Sequence, residues 1–217
     1  MTTDQDADGG EPTWLHKGST DSKDVEAFYD DWAATYEQEL TGWRYTAPDE
    51  AAERLAGLLT DGAALLDVGC GTGMFGERMA AARKLNLTGI DISNASLKRA
   101  GEKGVYADLQ KVDLQQTPLP FESDSMDGAA SIGVMTYIEA PKALLADLAR
   151  IVRAGGPILF TQRDDRWDEK GFDGVLAALE SDGLIGPAEV GEPRPYLPDH
   201  DEFGEEVLVR HVLLTVR

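Results

Sequence analysis

Two different periods run along the chain. From Asp24 to Leu40 the apolar and aromatic positions are Val25, Phe28, Tyr29, Trp32, Ala33, Tyr36 and Leu40. Steps of three and four put them on one face of a helix. A second helix is predicted in PDEAAERLAGLL, with Pro48 near its start and acids in its first turn. Beyond Thr60 the pattern changes to short apolar runs separated by helical stretches. Strands are predicted at Ala64–Val68, Leu85–Ile92, near Gln110–Val112, in MDGAASIGV and in PILFTQ. Helices are predicted over Gly73–Arg83, from the Ser93 cap to about Glu102, in PKALLADLARIV and in GFDGVLAALESDGL. Two more strands close the chain, one near Ala188–Tyr196 and one in EVLVRHVLLTV.

Strand and helix alternating in this way predict a parallel sheet with helices on both faces, a doubly wound α/β fold. About ten residues and no helix join the last two strands, so the final one should run antiparallel. The sheet then has seven strands. No internal repeat and no linker divides the chain. The expected organisation is an acidic disordered tail over residues 1–20 and a single domain over 21–217, with an N-terminal helical part at 21–60 and the sheet at 61–217.

The densest chemical signal is LLDVGCGTGMFGERM, residues 65–79. Gly69, Gly71, Gly73 and Gly76 join a strand to a helix. Glycine adopts the backbone angles of such a turn cheaply, and its missing side chain lets a ligand lie on the backbone. The following helix adds free N–H groups and a positive dipole end. Two ligands fit these residues. Gly71 to Gly76 reads G-x-G-x-x-G, and Asp91 follows Gly71 by 20 residues at a strand end, as in a dinucleotide site. Against that reading, Asp67 faces where a cationic amino group could lie, the glycines follow the strand without a gap, and the last strand is antiparallel.

LLDVGCGTG resembles the signature of the class I methyltransferases that use S-adenosylmethionine. GIDIS resembles their second-strand acid motif, and VDLQQTPLPFESDSMDGAASIGVMTYI their next two motifs. FYDDWAATYEQEL resembles the lid helix of the small-molecule branch, in particular the methyltransferase-like protein 27 group of the Williams-Beuren region. The resemblance covers residues 24 to 165. It implies a Rossmann-like fold, S-adenosyl-L-methionine as cofactor and methyl transfer to a small molecule. An enzyme linked to NAD, or a cofactor-binding module without turnover, is the alternative.

Carried over position by position, the resemblance implies these roles. Gly69, Gly71 and Gly73 would line the methionine part, and Asp67 would favour its ammonium. Asp91 would accept both ribose hydroxyls, since a carboxylate offers two acceptor oxygens to a diol. Ile92 would lie on the adenine face. Asp113 would accept from the adenine amino group beside the Leu114 backbone, with Asp108 competing for that role. Ile132 and Gly133 would lie near the reacting sulfur. Tyr29 and Tyr36 would close over the methionine carboxylate or the acceptor, although plain core packing also explains an aromatic helix face.

A general base is needed only where the acceptor holds its proton at neutral pH. The loop RPYLPDHDEFGEE opens on the side of the parallel strand ends, which nominates His200; Tyr137, just after the fourth strand, is the other candidate. His211 lies within the last strand and reads as packed, and His16 belongs to the tail. Asp164 and Asp165 follow the fifth strand, where metal-dependent relatives carry ligands. The fourth strand ends in SIGV without the acid such enzymes also carry, so no metal is expected.

Composition narrows the partners. Forty acids face twenty bases, a net charge of −20. Such a surface repels phosphate backbones and anionic lipid, so neither nucleic acid nor a membrane is an expected partner. No run approaches 18 apolar residues. The acidic N-terminus has no signal-peptide pattern and Cys70 is the single cysteine, so a cytoplasmic protein is expected, with Cys70 a small packing residue. Nothing in the sequence sets an oligomeric state.

Overall fold

The computed structural model describes Leu15, residues 18–204 and residues 206–217. Helices α1 (Ser22–Trp32), α2 (Tyr36–Gly42) and α3 (Ala47–Ala56) precede the sheet. The alternating part runs β1 (Ala64–Val68), α4 (Met74–Ala82), β2 (Asn86–Asp91), α5 (Asn94–Glu102), β3 (Asp108–Lys111), β4 (Gly128–Ser131), α6 (Pro141–Ile151), β5 (Pro157–Arg163) and α7 (Phe172–Ser181). The chain ends with β6 (Glu189–Val190), β7 (Arg194–Pro195) and β8 (Leu208–Thr215). Short 3-10 turns follow β4 at Met135–Tyr137 and β5 at Asp164–Arg166. Among the described residues no helix is long and apolar enough to cross a membrane.

The sheet order is β3-β2-β1-β4-β5-β8-β6, with β7 also on β8. The pairs among β3, β2, β1, β4 and β5 are parallel, and β8 is antiparallel to β5 over seven registered pairs from Pro157–Thr215 to Arg163–Val209. The predicted strand near Ala188–Tyr196 is two short segments along the far edge of β8. Seven positions therefore cross the sheet, the last one shared by β6 and β7.

Burial follows the period of two in each strand. Leu65, Leu87, Leu159 and Leu213 face one way, against Ala51, Leu55, Phe75 and Met79 of α3 and α4. Leu66, Ile90, Phe160 and Val212, an odd number of positions away on the same strands, face the other way, against Leu144 and Leu148 of α6 and Phe172 and Leu176 of α7. A third cluster joins Leu40, Tyr45 and Ala47 to Leu197, Phe203 and Val207 of the connection before β8. Leu15 is buried in this cluster, so the expected acidic tail is anchored at that residue; residues 1–14 lie outside the described residues.

The helix predicted over Asp24–Leu40 is two helices. The chain turns at Ala33–Thr35, where the Thr35 N–H reaches back only to the Trp32 carbonyl. Spacings of three and four continue through this turn, which is why periodicity alone does not reveal it. The Trp32 indole N–H donates to Glu39 Oε2 across the break at 2.9 Å.

Candidate cofactor and acceptor cleft

The C-terminal ends of the parallel strands all point to one edge of the sheet, where ligands bind in open α/β folds. Here that edge opens into a cleft with about 630 Å3 of atom-free space, part of it facing solvent. Its lining includes Gly69 and Gly71 after β1, Asp91 and Ile92 at the end of β2, and Asp113 and Leu114 after β3. Ile132, Gly133 and Tyr137 contribute from beyond β4, and Tyr29 and Tyr36 from the N-terminal helices. An adjoining space of about 330 Å3 shares Tyr36, Gly69, Gly71 and Ile132 and is lined further by Asp67, Cys70 and Thr72.

Backbone conformation explains two of the glycines. Gly69 has φ +71°, and a Cβ there would lie 2.4 Å from Val134 Cγ2. Gly133 has φ +78°, its N–H donates to Thr161 Oγ1 at 2.7 Å, and a Cβ would lie 2.9 Å from the Tyr45 hydroxyl. A side chain at either position would meet both steric and torsional strain. Gly71 differs: a Cβ there would meet nothing within 4 Å, so the floor of the cleft is open above it. Gly73 is the residue before α4 and lies against the Tyr106 ring and Ala100, outside the residues that line either space.

Asp91 is 9% exposed, and each carboxylate oxygen already has a backbone partner. Oδ2 accepts from the Gly71 N–H at 2.8 Å and Oδ1 from the Ser93 N–H at 2.8 Å. Burial raises its pKa, and these backbone N–H groups oppose that rise. A carboxylate oxygen accepts more than one hydrogen bond, so capacity for a diol remains. The same acid thus braces the glycine loop and faces the cleft.

Asp113 lines the cleft, whereas Asp108 is exposed on β3 and accepts from its neighbour Gln110 at 2.6 Å. Asp113 Oδ2 accepts from the Ser22 hydroxyl at 2.8 Å and Oδ1 from the Gln115 N–H at 3.0 Å. Gln115 donates to the carbonyls of Thr20 and Tyr137, tying the N-terminal segment to the turn after β4. The N-terminal helices are held over the cleft at further points. Asp30 accepts from the Ser93 hydroxyl at 2.6 Å and the Ala95 N–H at 3.1 Å. Glu37 accepts from the Thr72 hydroxyl at 2.6 Å and from Lys103. The attachments to Asp113, Ser93 and Thr72 land on the loops after β3, β2 and β1 that build the cleft.

Asp67 is 1% exposed at the end of β1, and the Tyr106 hydroxyl donates to its Oδ2 at 2.6 Å. Burial raises this carboxyl to about 7; the Tyr106 hydrogen bond pulls it down and the charge of Asp91 pushes it up. Cys70 is buried, and burial pushes its thiol up, away from a reactive thiolate.

Phenols crowd the end of β4. Tyr29 packs edge-on against Tyr137 at 5.8 Å and Tyr36 at 6.2 Å, and Tyr45 packs edge-on against Tyr196 at 5.4 Å. Burial above all pushes the hydroxyls of Tyr29, Tyr36, Tyr45 and Tyr196 upward, so they stay protonated and act as neutral hydrogen-bonding groups.

The two proposed bases part company. Tyr137 lines the cleft. His200 is buried away from it, packed on Trp43 at 4.5 Å and Phe203 at 4.9 Å, and its Nδ1 accepts from the N–H groups of Glu202 and Phe203. The loop does start at the strand-end edge, but it folds back on the third apolar cluster. Asp164 is paired with Arg210 and Asp165 with Arg163. Among the described residues no group of three or more His, Cys, Asp or Glu could hold a metal. Ser22 and Tyr106 carry no local motif, and Asp30 and Gln115 lie inside resembling segments without a role read there; only their three-dimensional neighbours reveal them.

The chain matches a methyltransferase-domain family over residues 66–160. It is 30% identical over 163 residues to methyltransferase-like protein 27 of Homo sapiens, covering 72% of this chain and 66% of that protein. It is 31% identical over 137 residues to the 27-O-demethylrifamycin SV methyltransferase of Amycolatopsis mediterranei, covering 59% of this chain and 47% of that one. The chain thus spans between about half and two thirds of the length of these curated relatives. In fold it is similar to a S-adenosylmethionine-dependent methyltransferase of Thermotoga maritima described as a possible histamine N-methyltransferase. The TM-score is 0.65 at 17% identity, covering 88% of this chain and 99% of that one.

Proposed function

Because this chain belongs to the class I, S-adenosylmethionine-dependent methyltransferases, we propose that it moves a methyl group from that cofactor to a small-molecule acceptor by in-line displacement. The single observation that carries the reading is the placement of Asp91. Its carboxylate lies at the floor of the cleft, braced by Gly71 and Ser93, with Ile92 and Asp113 beside it and an open cradle above Gly71. That donor and acceptor set fits an adenosine sugar and base on one side and an amino-acid end on the other. A small-molecule acceptor also fits the name of the rifamycin-modifying relative.

When bound, the cofactor supplies an activated methyl group on a sulfonium. The residues of this chain bind and orient. Asp91 holds the ribose diol, Asp113 the adenine edge, and Asp67 with the glycine-loop backbone the amino-acid end. Tyr29 and Tyr36 cover the cleft and exclude water. Holding two reactants at attack distance contributes roughly 7–11 kcal/mol to such a displacement. Tyr137, which lines the cleft, would hold the acceptor by a hydrogen bond. The strong net negative charge and single cysteine suit a cytoplasmic setting without a nucleic-acid partner.

Isothermal titration with S-adenosylmethionine, S-adenosylhomocysteine and NAD tests the reading. Binding of the first two and not the third is the expected result. Tight NAD binding would replace this reading with the dinucleotide one.

A further inference from the structure

The charged side chains lining the cleft and its adjoining space all have one sign. Asp67, Asp91 and Asp113 are there, and among the described residues no Lys, Arg or His lines either space. Cations on the surrounding segments have partners of their own. Lys103 pairs with Glu37 and Glu77, Lys111 with Glu26, and Arg163 with Asp165, while Lys170 donates to the Ile138 carbonyl at 2.7 Å. The β4 end of the cleft is instead walled by the rings of Tyr29, Tyr36 and Tyr137, with Tyr45 and Tyr196 above Gly133. We propose that the acceptor is an amine, methylated on nitrogen, and recognised by this ring of phenols. This deepens the methyltransferase reading and rests on it.

The argument is one of charge. An ionised carboxylate or thiolate acceptor would meet no side-chain cation in the lining, only carboxylates and the bound cofactor's own sulfonium. An alcohol or phenol acceptor needs a base; His200 is turned into the third apolar cluster, and Tyr137, the candidate that lines the cleft, is a phenol, a group that ordinarily holds its proton near pH 7. An amine in its free-base form needs neither. Its nitrogen lone pair forms the new N–C bond, the C–S bond breaks with its pair left on sulfur, and the resulting ammonium later gives its extra proton to bulk water. The positive charge therefore moves within the cleft from sulfur to nitrogen. The electron-rich faces of the tyrosine rings stabilise it there. Phenol oxygens accept from the amine N–H groups and turn the lone pair toward the methyl.

The test uses the full chain with S-adenosylmethionine and four acceptor sets: primary and secondary amines, phenols, carboxylates and thiols. Mass spectrometry is expected to show N-methyl products only. Across amines of different basicity, the pH midpoint of the rate should follow the pKa of each amine and no protein group. A second readout needs no turnover: calorimetry of dimethylamine and trimethylamine, as ammonium ions, against the chain saturated with S-adenosylhomocysteine. Tyr29→Leu should weaken that binding roughly tenfold while Tyr29→Phe preserves it. Preferred methylation of a phenol, carboxylate or thiol would overturn the amine assignment, as would ammonium binding indifferent to Tyr29→Leu. Failure to bind either sulfur cofactor would instead overturn the methyltransferase reading beneath it. Cofactor binding with no methylation of any amine would overturn the amine assignment alone.

Discussion

Tyr106 donates its hydroxyl hydrogen to Asp67 Oδ2 at 2.6 Å, beneath the glycine loop. Tyr106 follows α5, 39 residues after Asp67 along the chain, and its ring also fills the space that side chains at Gly73 and Gly76 would need. The acid is thereby oriented toward the adjoining space that would take an amino-acid end.

From this pair follows a pH dependence of cofactor binding. With its carboxyl raised to about 7, Asp67 is mostly protonated at pH 6 and ionised at pH 8. A cofactor ammonium favours the ionised form, so affinity should climb from pH 6 to 8, by at most tenfold per pH unit, and fall again as the α-amino group itself deprotonates near 8. Tyr106→Phe removes a hydrogen bond that lowers the Asp67 pKa and should move the rising limb to higher pH. Calorimetry in buffers of different ionisation enthalpy would reveal the released proton. A flat affinity between pH 6 and 8 contradicts the role of Asp67.

Substitution of Asp91 should strike binding and stability together. Asp91→Ala strips the acceptor from both the Gly71 and Ser93 N–H groups as well as from the ribose. Hydrogen bonds to a charged group contribute about 1.5–3 kcal/mol each, so S-adenosylmethionine affinity should drop by roughly ten- to a hundredfold or more. The apoprotein should also melt lower. Parent-like affinity in this variant, read by calorimetry, would remove the acid from the site.

At Gly69 a single methyl group is predicted to be costly. Its φ of +71° disfavours any L side chain, and the added Cβ would stand 2.4 Å from Val134 Cγ2. Gly69→Ala should lose roughly 1–3 kcal/mol, measured by urea denaturation. Adding Val134→Ala should recover the steric part and leave the torsional part. An unchanged midpoint in Gly69→Ala would show that the loop relaxes freely.

His211 sets an acid limit on stability. It is 9% exposed on β8, its Nε2 has no hydrogen-bond partner among the described residues, and Glu50 Oε2 lies 3.7 Å away. Burial lowers its pKa first; Glu50 of α3 opposes this, while Arg194 of β7 and Arg54 of α3 add to it. Glu53 and Glu192 line the same surface recess. A folded-state pKa below the ordinary 6.5 means that the imidazole contributes its full stability above pH 6.5 and loses it as pH falls. His211→Gln should therefore flatten the decline in melting temperature between pH 7 and 5. An acid limb identical to the parent's assigns that decline to other groups.

What the residues by themselves determined is local. Glycines at 69, 71 and 73 between an apolar run and a helix, an acid 20 positions beyond Gly71 and alternating strand and helix periods are short-range patterns, and torsion angles and burial of alternate side chains act over the same short range. They carried the parallel sheet with its antiparallel last strand and the nomination of the glycine loop and Asp91. The meeting of distant side chains was decided only by tertiary structure. Asp113 and Asp108 look equivalent along the chain until Ser22 reaches one of them. His200 follows a loop aimed at the cleft until Trp43 and Phe203 draw its ring into an apolar cluster. Tyr106 had no pattern at all. Such contacts depend on how helices and strands dock across tens of residues, and no spacing within one element encodes that docking.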